Sequence, residues 1–439
     1  VNIGINYSDG IKENKRSDLF FTENLDIPKK NIYLYFEYSD IKKKHSSLKE
    51  LEDQVKINGI KFIDLWKWKQ NKIFYDINSI KRKKKNLIED WVYNEIIKLI
   101  RQINFWQNFF LDYNLKIHLD PSEYGNSTIA KQIALENLNG ISIGKQRSYP
   151  SNIKGVFLHY YPNDVFFVWG EDSYKKLKKT KNHIKQFLLS GYPYPINESY
   201  NKYYIKDYFN KNVKFKILIL DNNHGLNNGI VQNIFTKDLY NFYEKFIELA
   251  SNSPEIGLII KSKRSSEFAK LTKIQNKIKE LQVKKKCLVI KDSYQLPAID
   301  VAMGADLSVG ISIFPSSAFF ESLLSCKGIY FDYSNIFLND SFFNKGKDKI
   351  IFNNLESLIG KLKDYKNENF VDTDYGNWST LSYKIDNFRD SFGHIRIAEF
   401  IKDVKDKLDK NFTSEKAIQE ATYNYKKKWY KNNDNYLND

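Results

Sequence analysis

Asp306-Leu-Ser-Val-Gly-Ile-Ser-Ile-Phe-Pro-Ser-Ser-Ala-Phe-Phe-Glu321 is the stretch on which the fold turns. Leu307 to Gly310 is an apolar strand, Pro315-Ser316-Ser317 a turn of small residues, and Ala318 to Ser325 an apolar helix. Gly328-Ile-Tyr-Phe-Asp332 follows as the next parallel strand. A strand, turn and helix in this order aim backbone N–H groups and two hydroxyls above the sheet edge, where a phosphate can be held. Glu321 lies one turn further in, within reach of a ribose. Taken alone, Ser316 and Ser317 read as a helix N-cap, and the two uses are compatible because both draw on the same exposed N–H groups.

Outward from this stretch the same alternation recurs. Phe215 to Leu220, Glu255 to Ile260, Cys287 to Ile290 and Ile350 to Phe352 read as strands. Helices over 236–250, 266–281, 295–303 and 354–362 separate them. Before them, Asn31 to Phe36, Ile60 to Leu65, Leu115 to Leu119, Ile141 to Ile143, Val165 to Trp169 and Ile184 to Leu189 read as strands. Helices are expected at 47–57, 87–111, 128–137 and 172–179. Residues 1–30 show little apolar periodicity, and 71–85 read as a basic loop. Strand–helix alternation argues for parallel sheets flanked by helices, an α/β architecture of two Rossmann-like domains. The boundaries fall at 1–195 for the first domain, 196–213 for a polar Tyr- and Asn-rich linker, and 214–384 for the second domain. C-terminal helices occupy 385–412 and a basic Tyr- and Lys-rich tail 413–439.

Composition narrows the function classes. Lys and Arg number 69 against 53 acids, a net charge of +16 that favours anionic partners. The lysines are spread along the chain and no nucleic-acid-binding module is recognisable, so nucleic acid is not the expected partner. The clusters Lys81–Lys85, Lys175–Lys181 and Lys426–Lys428 read as solvated faces. Cys287 and Cys326 are isolated, and no His or carboxylate cluster has metal spacing, so neither a disulfide nor a bound metal is expected. No apolar run approaches a membrane span and no secretory leader is visible, which points to the cytoplasm.

Ligands of parallel α/β sheets bind beyond the carboxyl ends of the strands. In the second half those positions hold Asp221-Asn-Asn-His224, Lys261-Ser-Lys263, Ser316-Ser317 and Asp332. Lys261 and Lys263 alternate after a strand, so both ammonium groups lie on one side and can neutralise a diphosphate leaving group. His224 sits in a polar turn as a further contact. In the first half the strand ends hold His118, Asp120, Glu123, Gln146, Arg147 and Ser190. Asp120, Glu123 and His118 are the candidates for a base that deprotonates an acceptor hydroxyl. Arg147, beside Gln146, can hold a carboxylate or phosphate bidentately. The two sets of strand ends are expected to face each other across a cleft. Asp372, Asp374 and Asp386 are further acids with no evident partner.

These segments resemble GT-B glycosyltransferases of bacterial surface-polysaccharide assembly, including capsule, O-antigen and teichoic-type transferases. The resemblance rests on Ile259-Ile-Lys-Ser-Lys263, Ala305 to Gly310, Ser316 to Glu321, Cys326 to Asp332 and Ile385 to Arg396, where Ser391 stands in place of the family's Gly. In the first half it rests on Ile129 to Ala134, Gly140 to Gln146 and Ser190 to Pro193. It implies C-terminal helices that pack back on the first domain. It also implies a metal-independent transfer from a nucleotide-activated sugar, CMP- or UDP-linked, to a polysaccharide or lipid-linked glycan at the inner membrane's cytoplasmic face. No cofactor is implied. Polyol-phosphate transfer from a CDP-activated donor, and sugar-nucleotide epimerisation, are the alternatives on the same fold.

Overall fold

The structure, a computed structural model, describes residues 1–6, 26–37, 52–53, 55–56, 59–65, 67–80, 86–120, 126–149, 160–194, 205, 207–222, 234–290, 296–312, 316–336, 338–339, 341–364 and 374–430. The chain divides into two compact units. The first joins Val1–Pro195 to Asp386–Asp439, and the second is Ile196–Ile385.

Unit 1 is built on seven parallel strands: β1 (Asn2–Asn6), β2 (Ile32–Tyr35), β3 (Lys61–Ile63), β4 (Leu115–Leu119), β5 (Ile141–Lys145), β6 (Val165–Val168) and β7 (Gln186–Leu189). Their order is β3-β2-β1-β4-β5-β6-β7. The connections include helices α1 (Leu87–Asp112), α2 (Asn126–Asn137) and α3 (Glu171–Lys178). Between β3 and β4, α1 buries Trp106, Phe109 and Phe110 with Tyr35, Leu115, Ala130 and Ala134. β1 corrects the sequence reading, which began the sheet at Asn31. Its sequence, Asn-Ile-Gly-Ile-Asn, is too short and polar to announce a strand, yet it is flanked on both sides by parallel partners. Ile3 and Ile5 supply its burial.

Unit 2 has six parallel strands: β8 (Phe215–Leu220), β9 (Ile256–Lys261), β10 (Cys287–Val289), β11 (Leu307–Ile311), β12 (Lys327–Phe331) and β13 (Ile351–Phe352). Their order is β10-β9-β8-β11-β12-β13. Helices α4 (Thr236–Asn252), α5 (Thr272–Val283), α6 (Ser317–Ser322) and α7 (Leu355–Asp364) lie among the connections. On α4, Leu239, Phe242, Tyr243, Phe246, Ile247 and Ala250 recur at helical spacing and are buried against Ile217, Leu258 and Val309. Parts of the stretch read as a linker pack inward. Ile205 lies against Gly304, and Phe209 against Gly257.

The C-terminal helices α8 (Gly393–Asp409) and α9 (Ser414–Trp429) belong to unit 1. The polar tail expected from 413 onward is in large part α9, a correction with a simple cause. Among its lysines, Ala417, Ile418, Ala421 and Tyr425 fall on one face and enter the core beside Phe167, Ile397 and Phe400. The predicted helix at 47–57 and the Lys81–Lys85 run fall largely or wholly outside the described residues.

Both sheets reverse direction once. In unit 1 the chain builds β1, β2 and β3 outward on one side, then returns to place β4 against the other side of β1. In unit 2, β8, β9 and β10 run one way and β11 returns beside β8. These are the topological switch points, where the flanking connections diverge and leave a crevice at the carboxyl edge.

Candidate functional site

At the unit 2 switch point, the residues just after β8, β9 and β11 are tied into one network. Asp221, after β8, accepts from the Tyr243 hydroxyl at 3.0 Å and from the Lys263 backbone N–H at 2.6 Å. The Lys263 ammonium donates to Asn222 Oδ1 at 2.8 Å, and Asn222 Nδ2 donates to Ser312 Oγ at 2.9 Å. The Ser312 carbonyl accepts from the Tyr330 hydroxyl. A buried carboxylate thus orders the loop after β9 and directs a lysine across the strand ends. The desolvated surroundings of Lys263, with the charge of Arg264, lower its pKa, and Asp221 opposes this. Lys261, the last residue of β9, is buried beside Leu220 in the sheet register. Between the lysines, the buried Ser262 Oγ has no hydrogen-bond partner among the described residues.

The other predicted donor contacts divide. Ser316 is the N-cap of α6, its hydroxyl accepting from Phe319 N–H at 3.1 Å. Ser317 opens that helix, and Glu321 lies half-buried on it. Because α6 spans six residues, its dipole is a smaller contribution than the opening stretch suggested. Gly310 faces the Phe319 ring so closely that a Cβ there would stand 2.8 Å from it. Asp332 organises the turn after β12 by accepting from Leu338 N–H and Ser334. His224 lies outside the described residues.

The unit 1 switch point carries a second cluster. Asn6 ends β1, Glu37 follows β2 and Asp120 follows β4. Asn6 Nδ2 donates to Glu37 at 2.9 Å and to Asp120 at 3.4 Å. Lys131 of α2, fully buried, pairs with Asp120 at 2.9 Å and also with Glu37. Burial acts to lower the Lys131 pKa, but the two carboxylates outweigh it and raise it. Its ammonium also sits 4.8 Å from the centre of the Trp106 ring, a cation–π contact. Asp120 is therefore a buried, paired carboxylate. Glu37, which is more exposed, is the member of the cluster open to solvent.

His118 is corrected. It is buried in β4 with Nε2 on the Tyr35 hydroxyl, and burial together with the Lys131 charge pushes its pKa down to about 3. A neutral imidazole locked inside the sheet serves the core and not proton transfer. Glu123 lies outside the described residues. Gln146 turns inward. Its Oε1 accepts from the Trp169 backbone N–H at 2.9 Å, and its carbonyl accepts from the Trp169 indole at 3.1 Å. Arg147 is exposed. Among the described residues one group has metal-ligand proximity, Glu136, Asp164 and His183. Lys185 pairs with Asp164 at 2.7 Å and with Glu136 at 3.5 Å, so an ammonium already balances those carboxylates.

Asn6, Glu37, Lys131 and Ser312 escaped the sequence reading. Ser312 directly follows β11 and Glu37 stands two residues after β2, so the strand-end rule reaches both. Asn6 was hidden with β1, and Lys131 by its place within a helix.

Two Rossmann-like α/β units of this kind define a GT-B-type protein. Residues 137–358, just over half of the chain, match the family model of polysaccharide biosynthesis PFTS motif proteins, and the chain belongs to that family. No curated protein sequence matches it. Among solved structures it is similar to Staphylococcus aureus MnaA in complex with UDP, with 12% identity, 92% of this chain and 96% of that one covered, and a TM-score of 0.55. It is also similar to a UDP-GlcNAc 2-epimerase from Neisseria meningitidis bound to UDP-GlcNAc, with 11% identity, 90% and 98% coverage and a TM-score of 0.50. A glycosyltransferase from Rickettsia africae aligns over 97% of this chain and 98% of its own at 11% identity, with a TM-score of 0.45.

Proposed function

We propose that the protein is a glycosyltransferase that moves a sugar from a nucleotide-activated donor to a hydroxyl of a cell-surface polysaccharide or lipid-linked glycan. The observation that carries this reading is the Asp221–Lys263–Asn222–Ser312 network at the unit 2 switch point. There the nucleotide diphosphate is assigned to Lys263 and Lys261, with Ser262, Ser316 and Ser317 as hydroxyl donors and Glu321 near the ribose. As the acceptor oxygen bonds to the anomeric carbon, the bond from that carbon to the diphosphate breaks. The lysines offset the charge that develops on the departing diphosphate. The acceptor hydroxyl's proton passes to a carboxylate, a role we assign to Glu37, the more exposed member of the cluster around Lys131.

Epimerisation of a sugar nucleotide is the second reading, favoured by the likeness to the Neisseria meningitidis epimerase. A thermal-shift series with UDP, CMP, GDP and CDP identifies the base, since a ligand of the native state raises the melting temperature by mass action. Lys263→Ala and the Ser316→Ala, Ser317→Ala pair should each abolish that shift. Incubation with the matching sugar nucleotide then separates the readings. A transferase releases the nucleotide only with an acceptor present, whereas an epimerase converts the donor alone. Absence of binding by every nucleotide, or unchanged binding in both variants, would sink the site assignment.

A further inference from the structure

The lysine runs 175–181 and 426–428 each send a member to one cavity, which no part of the proposed reaction uses. It encloses about 300 Å³ of unit 1 beside β7, the last strand of the sheet. Lys178 of α3, Lys185 before β7 and Lys426 of α9 line it, and no carboxylate among the described residues does. Lys185 pairs with Asp164 and Glu136, outside the lining, so its charge is already balanced. The Lys178 ammonium donates to the Tyr174 hydroxyl at 2.8 Å, which holds it at the wall. The turn that forms another wall is fixed by its own side chains. Asn182 donates to the Leu177 carbonyl at 2.9 Å and accepts from Ile184 N–H at 3.2 Å, and the Thr180 hydroxyl donates to the Leu177 carbonyl at 2.7 Å. The cavity is therefore preformed and cationic.

One side of it is a strand edge with open hydrogen-bonding groups. β7 has a sheet neighbour, β6, on one side only. The N–H groups of Gln186 and Ser190 bond toward β6, to the carbonyls of Asp164 at 3.0 Å and Val168 at 2.8 Å. Backbone groups alternate in direction along a strand, so those of Phe187 and Leu189 face the open side. There the Tyr430 and Tyr425 hydroxyls satisfy Leu189. The N–H and C=O of Phe187 have no partner among the described residues, nor has the half-buried carboxamide of Gln186. Both residues line the cavity. A single open residue is too short for a further strand to pair with. It suits a small molecule that brings hydroxyls as well as charge, because a carboxamide and a peptide group each both donate and accept.

We infer that this cavity binds a small hydroxylated anion of one-ring size, a sugar phosphate or a sugar acid. Lys178 and Lys426 meet the phosphate or carboxylate in charge-assisted contacts. Gln186 and the Phe187 backbone take the hydroxyls. The rings of Tyr174, Phe187 and Tyr430 give the sugar ring apolar surface. Such an occupant bridges α3, β7 and α9, and so fastens the C-terminal helix to the strand it closes. The inference holds whether or not unit 2 takes a nucleotide.

Calorimetric titration of the full chain with glucose 1-phosphate, glucuronate, glucose and inorganic phosphate provides the test. At least one of the first two should bind, and which one does so names the anion. Glucose and phosphate each lack half of the recognised groups, and should bind at least about tenfold more weakly. Lys178→Gln, Lys426→Gln should weaken the tighter ligand by about tenfold per lysine. Lys178 is exposed and Lys426 half-buried, so the melting temperature of the free protein should stay unchanged. Gln186→Leu keeps the cations, and should weaken the sugar anion while leaving phosphate as it is. Lys263→Ala should change none of these affinities, which separates the cavity from the unit 2 site. Failure of both sugar anions to bind would overturn the inference. So would equal affinity for inorganic phosphate, equal binding by the double-lysine variant or by Gln186→Leu, or loss of binding in Lys263→Ala.

Discussion

Asp386 is an acid held where water cannot reach it. Its carboxylate accepts from the backbone N–H groups of Tyr192, Phe388 and Arg389. Burial nevertheless dominates and lifts its pKa from 3.8 to about 6, with those N–H groups opposing. Since the folded value exceeds the unfolded one, stability from this group is complete below about pH 4 and is lost as pH rises through 6. Urea titrations of wild type against Asp386→Asn should show their stability difference shifting against the wild type by up to about 3 kcal/mol over that window, then levelling. A flat difference would mean that the carboxyl is solvated. The Lys131 cluster makes the opposite case, because its charges are paired. Lys131→Met should destabilise by about 3–5 kcal/mol, because it removes the ammonium that faces the buried Asp120. A stability loss no greater than that of an exposed lysine substitution would show that water already reaches the pair. Site residues were legible in the sequence where they stand within two residues of a strand's end, as Lys263 and Asp120 do. What a buried residue pairs with was not, because Lys131 and Asp120 meet only once α2 packs on the sheet.

Among elements, the most legible were those with a dense apolar pattern, the near-continuous runs of β8 and β9 and the helically spaced stripe of α4. β1 was not, because Gly4 and its two asparagines dilute two isoleucines. α9 was not, because lysines surround its narrow buried face. The turn between β11 and α6 was read from small residues, and the packing shows why they are needed. Gly310 leaves room for the Phe319 ring, so strand and helix approach closely. Gly310→Ala should force that ring aside and cost about 1–3 kcal/mol. It should also weaken nucleotide binding by moving α6, whereas Phe319→Leu in the same background should restore part of both. A nucleotide affinity unaffected by Gly310→Ala would separate α6 from the site.

At the scale of the whole molecule, unit 1 is assembled from both ends of the chain. The Leu189 N–H donates to the Tyr430 hydroxyl at 2.7 Å, and Tyr425 donates to the Leu189 carbonyl at 2.8 Å, so α9 and the residue after it close β7. Arg396 of α8 binds Asp390 and the Ser190 carbonyl while lying 3.6 Å from the centre of the Phe388 ring. Removing residues 411–439 should therefore expose Phe167 and Phe400 and leave unit 1 open to protease. Unit 2, whose core holds none of those residues, should survive as a resistant fragment. Uniform resistance of the truncated chain would show that α9 is dispensable. The same discontinuity sets an order of events on the ribosome. Everything unit 2 needs is in hand once residue 385 has emerged, whereas the partners of Leu189 arrive only with residues 425 and 430. Through that interval the apolar faces of β6 and β7 wait uncovered, so the first half of the chain to be made is the last to be finished.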